Sequence, residues 1–323
     1  MRLRRAGAHG TARRLGREVL WAPFTLALVA LLVFVLMDLA PGDAATSIAG
    51  DQGDPELVES IRADLHLDQP LWSRYGRWVG DAAQGDLGTS LVSHRSVVSS
   101  VGSVFPATAS LVAIGLVFAL ILAFVLGVLP VYLESRSFDR LASILSAVAI
   151  SMPPVWLALL LTSTLAIRFE VFPALGYVGL TDDPWQWFRH LVLPGFTVAM
   201  VPAGELARQV RGSLLDVLGT DYSVAQQVRG LPRRSVVLRH GLKNAAIPVV
   251  TVLGARIGAM VGSTVIIERI FVINGMGELA VRSVGSRDVP VVLGIVVLGT
   301  LVVLVSNLLV DSSQAFFNPR SAS

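Results

Sequence analysis

The sequence predicts an all-α membrane protein with six transmembrane helices, and two observations lead to that prediction. Of the 323 residues, 53% are hydrophobic and only 15% are charged, whereas about a quarter of the residues of a soluble domain are charged. Apolar stretches of about 20 residues are long enough to cross a hydrocarbon core of about 30 Å as helices. Six such stretches cover residues 19–37, 106–132, 141–167, 190–207, 246–267 and 289–310.

The composition excludes several classes of function. The absence of cysteine rules out disulfides, thiolate metal sites and cysteine nucleophiles. The five histidines are scattered without the spacing of metal ligands, and no phosphate-binding or hydrolase motif is present. The isoelectric point of about 9.8 at a net charge of +3 indicates basic loops at a membrane and no nucleic-acid partner. We therefore expect no catalytic residue, no metal and no directly bound cofactor.

The first predicted element is a basic N-terminus, residues 1–18, which leads into the span at 19–37. Arginines followed by an apolar run also fit a cleaved signal peptide. The run is longer than the apolar core of a usual signal, and the acidic stretch that follows it lacks a small-residue cleavage site. A retained helix is therefore favoured.

Residues 38–103 are predicted to form a structured extracytoplasmic loop. Asp54, Pro55 and Glu56 have the pattern of a helix start, a capping residue followed by proline in the first turn. A second helix is indicated by apolar residues at helical spacing, namely Leu71, Trp72, Tyr75, Trp78 and Val79. We expect this face at the membrane interface or against neighbouring spans, in preference to a ligand site.

Basic residues predict the orientation of the chain, because cytoplasmic loops carry an excess of arginine and lysine. Six arginines precede the first span, two lie in 133–140, and six arginines with Lys243 lie in 208–246. The alternate loops are poorer in basic residues. Both termini, including residues 311–323 after the last span, are therefore predicted to be cytoplasmic.

Two of the spans have unusual sequences. Pro153 and Pro154 must interrupt the hydrogen-bond ladder of the third span. Such a break is tolerated in a bilayer where it faces protein or a water-filled cavity. The fourth span, 190–207, is short and contains Pro194 and Pro202. It is therefore the weakest candidate for a transmembrane helix among the six.

Charged residues inside or at the ends of spans are candidate functional groups. Arg256 lies within the fifth span, where an ionised side chain costs at least about 2.5–3.5 kcal/mol. It is expected either to pair with a carboxylate, such as Glu205, or to line a polar pathway. Glu268 and Arg269 are expected near the outer interface, where long side chains reach water.

The stretch 221–248, DYSVAQQVRGLPRRSVVLRHGLKNAAIP, is polar and basic although it separates two spans. Tyr222 to Arg229 is predicted to form two turns of helix, Gly230 to end that helix, and Pro232 to start the next. The second helix carries apolar residues that can rest on the membrane surface, namely Val236, Val237, Leu238 and Leu242. Two short helices in this arrangement would form a protruding surface that a partner protein can bind. A solvated basic loop is the alternative.

This stretch resembles the cytoplasmic EAA loop of ABC-importer permeases, in which a glycine is followed 18 residues later by the proline that opens the next span. Gly230 and Pro248 have that spacing. The chain resembles the dipeptide/oligopeptide/nickel permease family over residues 17–320, and more specifically the first permease of the pair. The resemblance is carried by LAPGD (39–43), LHLDQPLWSRYGRWV (65–79), GDLGTS (85–90), FPATASL (105–111), SMPPVWLALLL (151–161), HLVLPGFTVA (190–199), RDVPVVLG (287–294) and NLLVDSSQAFFNPR (307–320).

The resemblance implies a type I ABC importer permease in a bacterial inner membrane, with a permease core over 104–310 that includes a coupling segment at 208–246. It implies a second homologous permease, two ATPase subunits that use ATP and Mg, an extracytoplasmic binding protein and membrane lipid as partners. The implied ATPase-docking residues are Asp221, Tyr222, Ala225, Gln226, Val228, Arg229, Gly230 and Leu231. The expected pathway residues are Arg256, Pro153, Pro154 and Glu205.

The chain departs from the family pattern at a few positions. The family usually has Thr, Ala, Ala and Lys where this sequence has Ala225, Gln226, Val228 and Arg229, so two small contact positions are bulkier here. Arg256 stands where a neutral polar residue is expected, which favours an anionic or carboxylate-bearing substrate.

Peptides are the expected substrate class, with nickel chelates, glutathione and sugars as alternatives within the same family. Two other classes of function remain as rivals. A stand-alone secondary transporter would need ionisable relays within its spans and repeated halves, and a membrane-embedded enzyme would need clustered nucleophiles or metal ligands.

Overall fold

The computed structural model describes residues 2–40, 44–49, 54–64, 67–228 and 230–317. Within them the chain is helical, with one isolated β-bridge between Thr89 and Ser96. The α-helices are α1 (Arg2–Leu39), α2 (Ala44–Ala49), α3 (Pro55–Asp64), α4 (Leu71–Ala82), α5 (Val97–Ala123), α6 (Leu129–Leu133), α7 (Arg136–Ser151), α8 (Pro154–Leu161), α9 (Pro184–Leu218), α10 (Asp221–Val228), α11 (Leu242–Ile270), α12 (Met276–Gly285) and α13 (Val289–Phe317). Three π-helical segments are π1 (Phe124–Val128), π2 (Thr162–Arg168) and π3 (Ser235–Gly241).

The described residues contain five helical stretches long and apolar enough to cross a membrane, and a sixth if one bent pair of helices counts as a span. The five stretches are Leu20–Leu39, Val97–Leu133, Pro184–Leu218, Val249–Ile270 and Val289–Ser313. The prediction of an all-α, six-span fold is thereby confirmed. The individual spans run beyond several of the predicted boundaries, since a helix continues past the hydrocarbon as long as its backbone bonds are satisfied.

The bent pair is the third span, Arg136–Ser151 with Pro154–Arg168, whose two parts meet at an angle of 103°. Met152 is extended, with ψ at 123°, and Pro154 occupies the first turn of α8, where a missing N–H costs no hydrogen bond. The predicted interruption at Pro153 and Pro154 is confirmed. Both parts pack on protein, α7 against α9 and α8 against α9 and α11.

The fourth span, predicted as the weakest, is the most enclosed of the five stretches. It belongs to the 35-residue helix α9, and 67% of its most apolar window is buried inside the protein. A helix that is covered by its neighbours has little contact with lipid. Its most apolar 18-residue stretch can therefore belong to a membrane span with a mean hydropathy of only 1.3. Pro194 and Pro202 lie inside this helix without ending it.

The described residues of 19–108 and 274–302 form one compact unit, in which α4 of the first loop packs on the first span. The rings of Tyr75 and Trp78 lie 5.6 and 6.0 Å from that of Phe34. The Tyr75 hydroxyl donates to the Ala27 carbonyl at 2.9 Å, and partial burial raises the pKa of this phenol. Of the two expected locations of the aromatic face, contact with a neighbouring span is therefore observed, while Trp72 stays exposed.

Asp288 joins the 85–96 stretch to the start of α13 within the same unit. Its buried carboxylate accepts hydrogen bonds from the Ser90 hydroxyl and, at 3.1 Å, from the Leu91 amide. The Ser90 oxygen in turn accepts from the Ser93 amide at 2.9 Å. Two of the family-like stretches, GDLGTS and RDVPVVLG, thus meet in one hydrogen-bonded cluster.

Residues 1–18, 109–273 and 303–323 form the second unit, within which α9 packs against α7, α8 and α11. Glycines permit the closest approaches in it. A Cβ at Gly127 would lie 2.7 Å from the Ala207 carbonyl, and one at Gly204 would lie 2.6 Å from the Ser146 carbonyl. Gly254 faces Val310 in the same way, as expected for small residues at helix contacts in membranes.

Candidate functional site

The helix predicted for Tyr222–Arg229 is present as α10, which follows α9 after a two-residue break. Ser223 fixes α10 to the end of α9, because its buried hydroxyl donates to the Val217 carbonyl at 2.7 Å. Its amide also donates to the Thr220 carbonyl at 3.0 Å. Arg229 lies outside the described residues, as do the side chains of Tyr222 and Gln226.

The predicted docking residues that the structure describes are exposed. They are Asp221, Ala225, Val228, Gly230 and Leu231. Val228 is 83% exposed, which is unusual for a β-branched apolar side chain on a helix. Leu231, 39% exposed, is a second uncovered apolar side chain shortly after the end of α10.

Gly230 adopts a left-handed conformation, with φ at +82°. A Cβ at this position would meet nothing within 4 Å. The glycine is therefore required by the direction of the backbone and not by lack of space, which confirms the predicted break after α10.

The segment after Gly230 differs from its predicted location. Val236 and Val237 are buried, and Val237 belongs to a cluster with Val128, Val210 and Leu214. The expectation that this segment rests on the membrane surface is therefore wrong. The sequence did not reveal that α9 continues past the predicted end of the fourth span, so that its Val210 and Leu214 form an apolar protein surface for π3 together with the second span.

Arg233, which sequence reasoning did not single out, binds the end of the second span. Its Nη2 donates to the Val131 carbonyl at 2.6 Å and its Nε to the Tyr132 carbonyl at 3.2 Å. Its Nη1 forms an ion pair with Glu134. Glu134 ends α6 in the left-handed region, with φ at 51°. Helix ends leave carbonyls without intrahelical partners, and a guanidinium satisfies several of them.

A second arginine pair lies beside Arg233. Arg211 of α9 binds both carboxylate oxygens of Asp139 of α7, at 2.6 and 2.8 Å. Arg211, Asp139, Arg233 and Glu134 all line one cavity of about 460 Å³. The two arginines therefore connect α6, α7, α9 and the segment after α10 around a common space.

Arg256 and Glu205, predicted as pathway residues, are brought together by α11 and α9. Nε of Arg256 lies 2.5 Å from Oε2 of Glu205, and the side chains are 38% and 21% exposed. These two atoms are themselves buried, and neither makes an aligned hydrogen bond within the described residues. The pair is thus a close charge contact between α9 and α11.

Pro153 and Pro154 lie at the bend that leads into α8, and α8 packs against both α9 and α11. Gly204, the neighbour of Glu205, faces Ser146 and Ala149 just before that bend. The predicted pathway residues therefore lie on three elements that contact one another.

Glu268 differs from its expected position at the outer interface. It is fully buried within the protein, while the neighbouring Arg269 is exposed. Both residues have interaction partners, so burial of Glu268 among protein groups replaces the expected contact with water. Among the residues that the structure describes, no group of acidic or histidine side chains could hold a metal ion.

Two family models cover nearly all of the chain. Residues 115–323 match the binding-protein-dependent transport system inner membrane component, and residues 12–112 match the N-terminal part of such membrane components. The chain belongs to this family. It is a multi-pass permease subunit of an ABC importer, and permeases of such systems work with a partner permease, an ATPase and a substrate-binding protein.

Curated relatives match this permease over most of its length. A Brucella abortus protein named as a permease of a peptide transport system is 37% identical over 294 residues, covering 91% of this chain and 93% of the relative. The glutathione transport system permease protein GsiC of Escherichia coli is 37% identical over 295 residues, covering 91% and 94%. A solved chain of the MetNI methionine ABC transporter has a TM-score of 0.46 at 17% identity, covering 70% of this chain and 94% of that one.

Proposed function

We propose that this permease forms half of the pathway of a peptide importer. The movement of the ATPase is transmitted to it through contact with α10. The observation that carries the proposal is the geometry of α10, a short helix with exposed Ala225 and Val228 that is anchored by Ser223 and ended by Gly230. A helix fixed at one end moves as a body when a partner grips it, whereas a flexible loop would absorb the displacement.

Two ATPase subunits are the proposed partners of α10 on the cytoplasmic side of the membrane. They use ATP and Mg, while the permease binds neither. Closure of the ATPase pair displaces α10 and converts the pathway between inward-facing and outward-facing states, which is coupling through a two-state interface. A second homologous permease completes the pathway, and an extracytoplasmic binding protein delivers the substrate.

The excess of arginine in the N-terminus and in residues 208–246 supports an orientation with both termini and α10 in the cytoplasm. The 38–103 loop then faces the extracytoplasmic side of a bacterial inner membrane. The observed packing of α4 on the first span and of the 85–96 stretch on Asp288 provides an ordered surface on that side.

Peptides are the proposed substrates, and the Arg256–Glu205 pair is the proposed contact within the pathway. The relatives named for peptide and glutathione transport support this class, since glutathione is itself a small peptide. A guanidinium and a carboxylate side by side are complementary to the carboxylate and ammonium groups of a peptide. Because both side chains are partly exposed, a solute has access to them.

The central experiment is ATP-driven peptide uptake into proteoliposomes that contain the permease pair, both ATPases and the binding protein. Gly230→Asp is expected to abolish uptake, because it places a charged side chain beside exposed Leu231 at the docking surface. Membrane insertion, checked by the amount of purified permease, should be unchanged.

Gly85→Asp is the matched control, since Gly85 is exposed and left-handed as well, with φ at +88°, a Cβ there also meets nothing within 4 Å, and the residue lies far along the chain from α10. This variant should transport like the wild type. Normal uptake by Gly230→Asp would overturn the docking assignment. Wild-type permease that transports without ATPase subunits would instead favour a stand-alone secondary transporter.

A further inference from the structure

The stretch from α10 to Arg233 is attached to the rest of the permease at two separate places. Ser223 ties α10 to the end of α9, while Arg233 ties the following residues to the end of the second span. The sequence distance between the two attachments is only ten residues, so α10 lies between two fixed points. Each attachment leads to a different membrane helix.

Arg233 makes the more specific of the two attachments. All three guanidinium nitrogens are used, two on the backbone carbonyls of Val131 and Tyr132 and one on the carboxylate of Glu134. A planar guanidinium with donors in a fixed fork can hold several acceptors in one orientation, which a lysine ammonium does not do. The cation also lies where the negative end of the helix dipole favours positive charge.

The acceptors of Arg233 lie at the junction between the second and third spans. Val131 and Tyr132 belong to α6, and Glu134 with Ser135 forms the whole connection to α7. A force on Arg233 therefore acts on both spans at once. The bidentate Arg211–Asp139 pair links α7 to α9 at the same cavity.

On these contacts, and resting on the proposed function of α10, we infer that Arg233 is a positioning residue that transmits displacement of α10 to the second and third spans. The ATPase grips α10 in the proposed mechanism. The Ser223 attachment passes the movement to α9, and the Arg233 attachment passes it to the 131–135 turn. Transport requires both, because a pathway opens only when helices move relative to one another.

Loss of Arg233 should therefore separate ATP hydrolysis from transport. Without it, α10 keeps its docking surface and its anchor at Ser223, so the ATPases still bind and close. The 131–135 turn then loses its polar connection to the segment after α10, so less of the movement reaches the second and third spans. The measurable sign is a lower number of peptides imported per ATP hydrolysed.

The test uses the complete reconstituted importer with Arg233→Ala and, as matched control, Arg234→Ala, which removes the adjacent and exposed arginine. In Arg233→Ala, uptake per ATP should fall by about 5-fold or more, the usual size of an allosteric coupling, while ATPase activity stimulated by the binding protein stays within about 2-fold. Arg234→Ala should keep the wild-type ratio. Arg233→Lys should recover only part of it, because an ammonium cannot hold all three acceptors.

Glu134→Gln provides a second measurement should Arg233→Ala fail to assemble, since the Glu134 side chain is largely exposed and its loss removes only the ion pair. Its uptake per ATP should lie between those of wild type and Arg233→Ala. A wild-type ratio in Arg233→Lys and Glu134→Gln would overturn the inference, as would a parallel loss of ATPase activity and uptake in Arg233→Ala. Failure of the wild-type complex to couple uptake to ATP would count against the proposed function instead.

Discussion

At the scale of single residues, the Arg256–Glu205 pair can have either of two roles, and each role has a different consequence for variants. If the two charges only neutralise each other, any arrangement that keeps both signs in contact serves equally well. If they contact the substrate, the position of each charge matters. The partial exposure of both side chains favours the second case, since a solute can reach the pair.

Arg256→Gln should reduce the preference of the importer for peptides with a free C-terminal carboxylate over the same peptides with a C-terminal amide. The guanidinium is the proposed partner of that carboxylate, and a charged hydrogen bond contributes about 1.5–3 kcal/mol, so the ratio of KM values should change by about 10-fold or more. Competition uptake with the two peptides measures it.

The charge-swapped double variant Arg256→Glu with Glu205→Arg is the control for a purely structural pair. It preserves an ion pair between α9 and α11 and should restore the yield of folded permease, but not the wild-type selectivity. Unchanged selectivity in both Arg256→Gln and the double variant would assign the pair to structure alone.

At the scale of elements, α9 is packed through glycines against its neighbours. A methyl group at Gly127 or Gly204 would meet backbone carbonyls at 2.7 and 2.6 Å, and backbone atoms cannot move aside as a side chain can. Gly127→Ala and Gly204→Ala should each lower the stability of the detergent-solubilised permease by about 1–3 kcal/mol, seen as a lower midpoint of thermal unfolding.

Gly262→Ala, in α11, is the corresponding control, because a Cβ there meets nothing within 4 Å. Alanine is favoured over glycine in a helix by up to about 1 kcal/mol, so this variant should be as stable as the wild type or slightly more stable. Equal stability of all three variants would contradict the close packing of α9.

At the scale of the whole molecule, the sequence contains no cysteine. A thiol reagent therefore labels the permease only at a cysteine that has been introduced. Ser93, exposed in the first loop, and Gly16, exposed before the first span, lie on opposite sides in the proposed orientation. A membrane-impermeant maleimide should label Ser93→Cys in intact spheroplasts and Gly16→Cys only in inverted vesicles. The reverse pattern would refute the orientation.

The sequence predicted those parts of the permease that depend on local chemistry. The Asp54 cap, whose oxygen accepts from the Glu56 amide at 3.2 Å, the break at Pro153 and the left-handed Gly230 all follow from the preferences of single residue types. The pairing of Arg256 with Glu205 was one of the two alternatives that the sequence left open, because an unpaired charge inside a span is costly.

Other features depend on contacts between distant parts of the chain, and the sequence did not reveal them. Val236 and Val237 have the composition of a membrane-surface helix, but they are buried where the end of the second span meets α9, which extends past the predicted fourth span. The role of Arg233 follows from carbonyls a hundred residues earlier, and a backbone carbonyl leaves no trace in the sequence. The only local signal was a basic residue three positions after a helix-ending glycine.

The π-helical segment π3 holds about one residue more than α-helical turns of the same rotation would. A π-helical turn holds more residues than an α-helical one, and each residue of an α-helix turns the chain by about 100°. Deleting one residue from Ser235–Gly241 would therefore let this segment become α-helical while α11 nearly keeps its rotation and Arg256 stays beside Glu205. An alignment gap of one position in this segment would thus mark a relative whose pathway is lined in the same way.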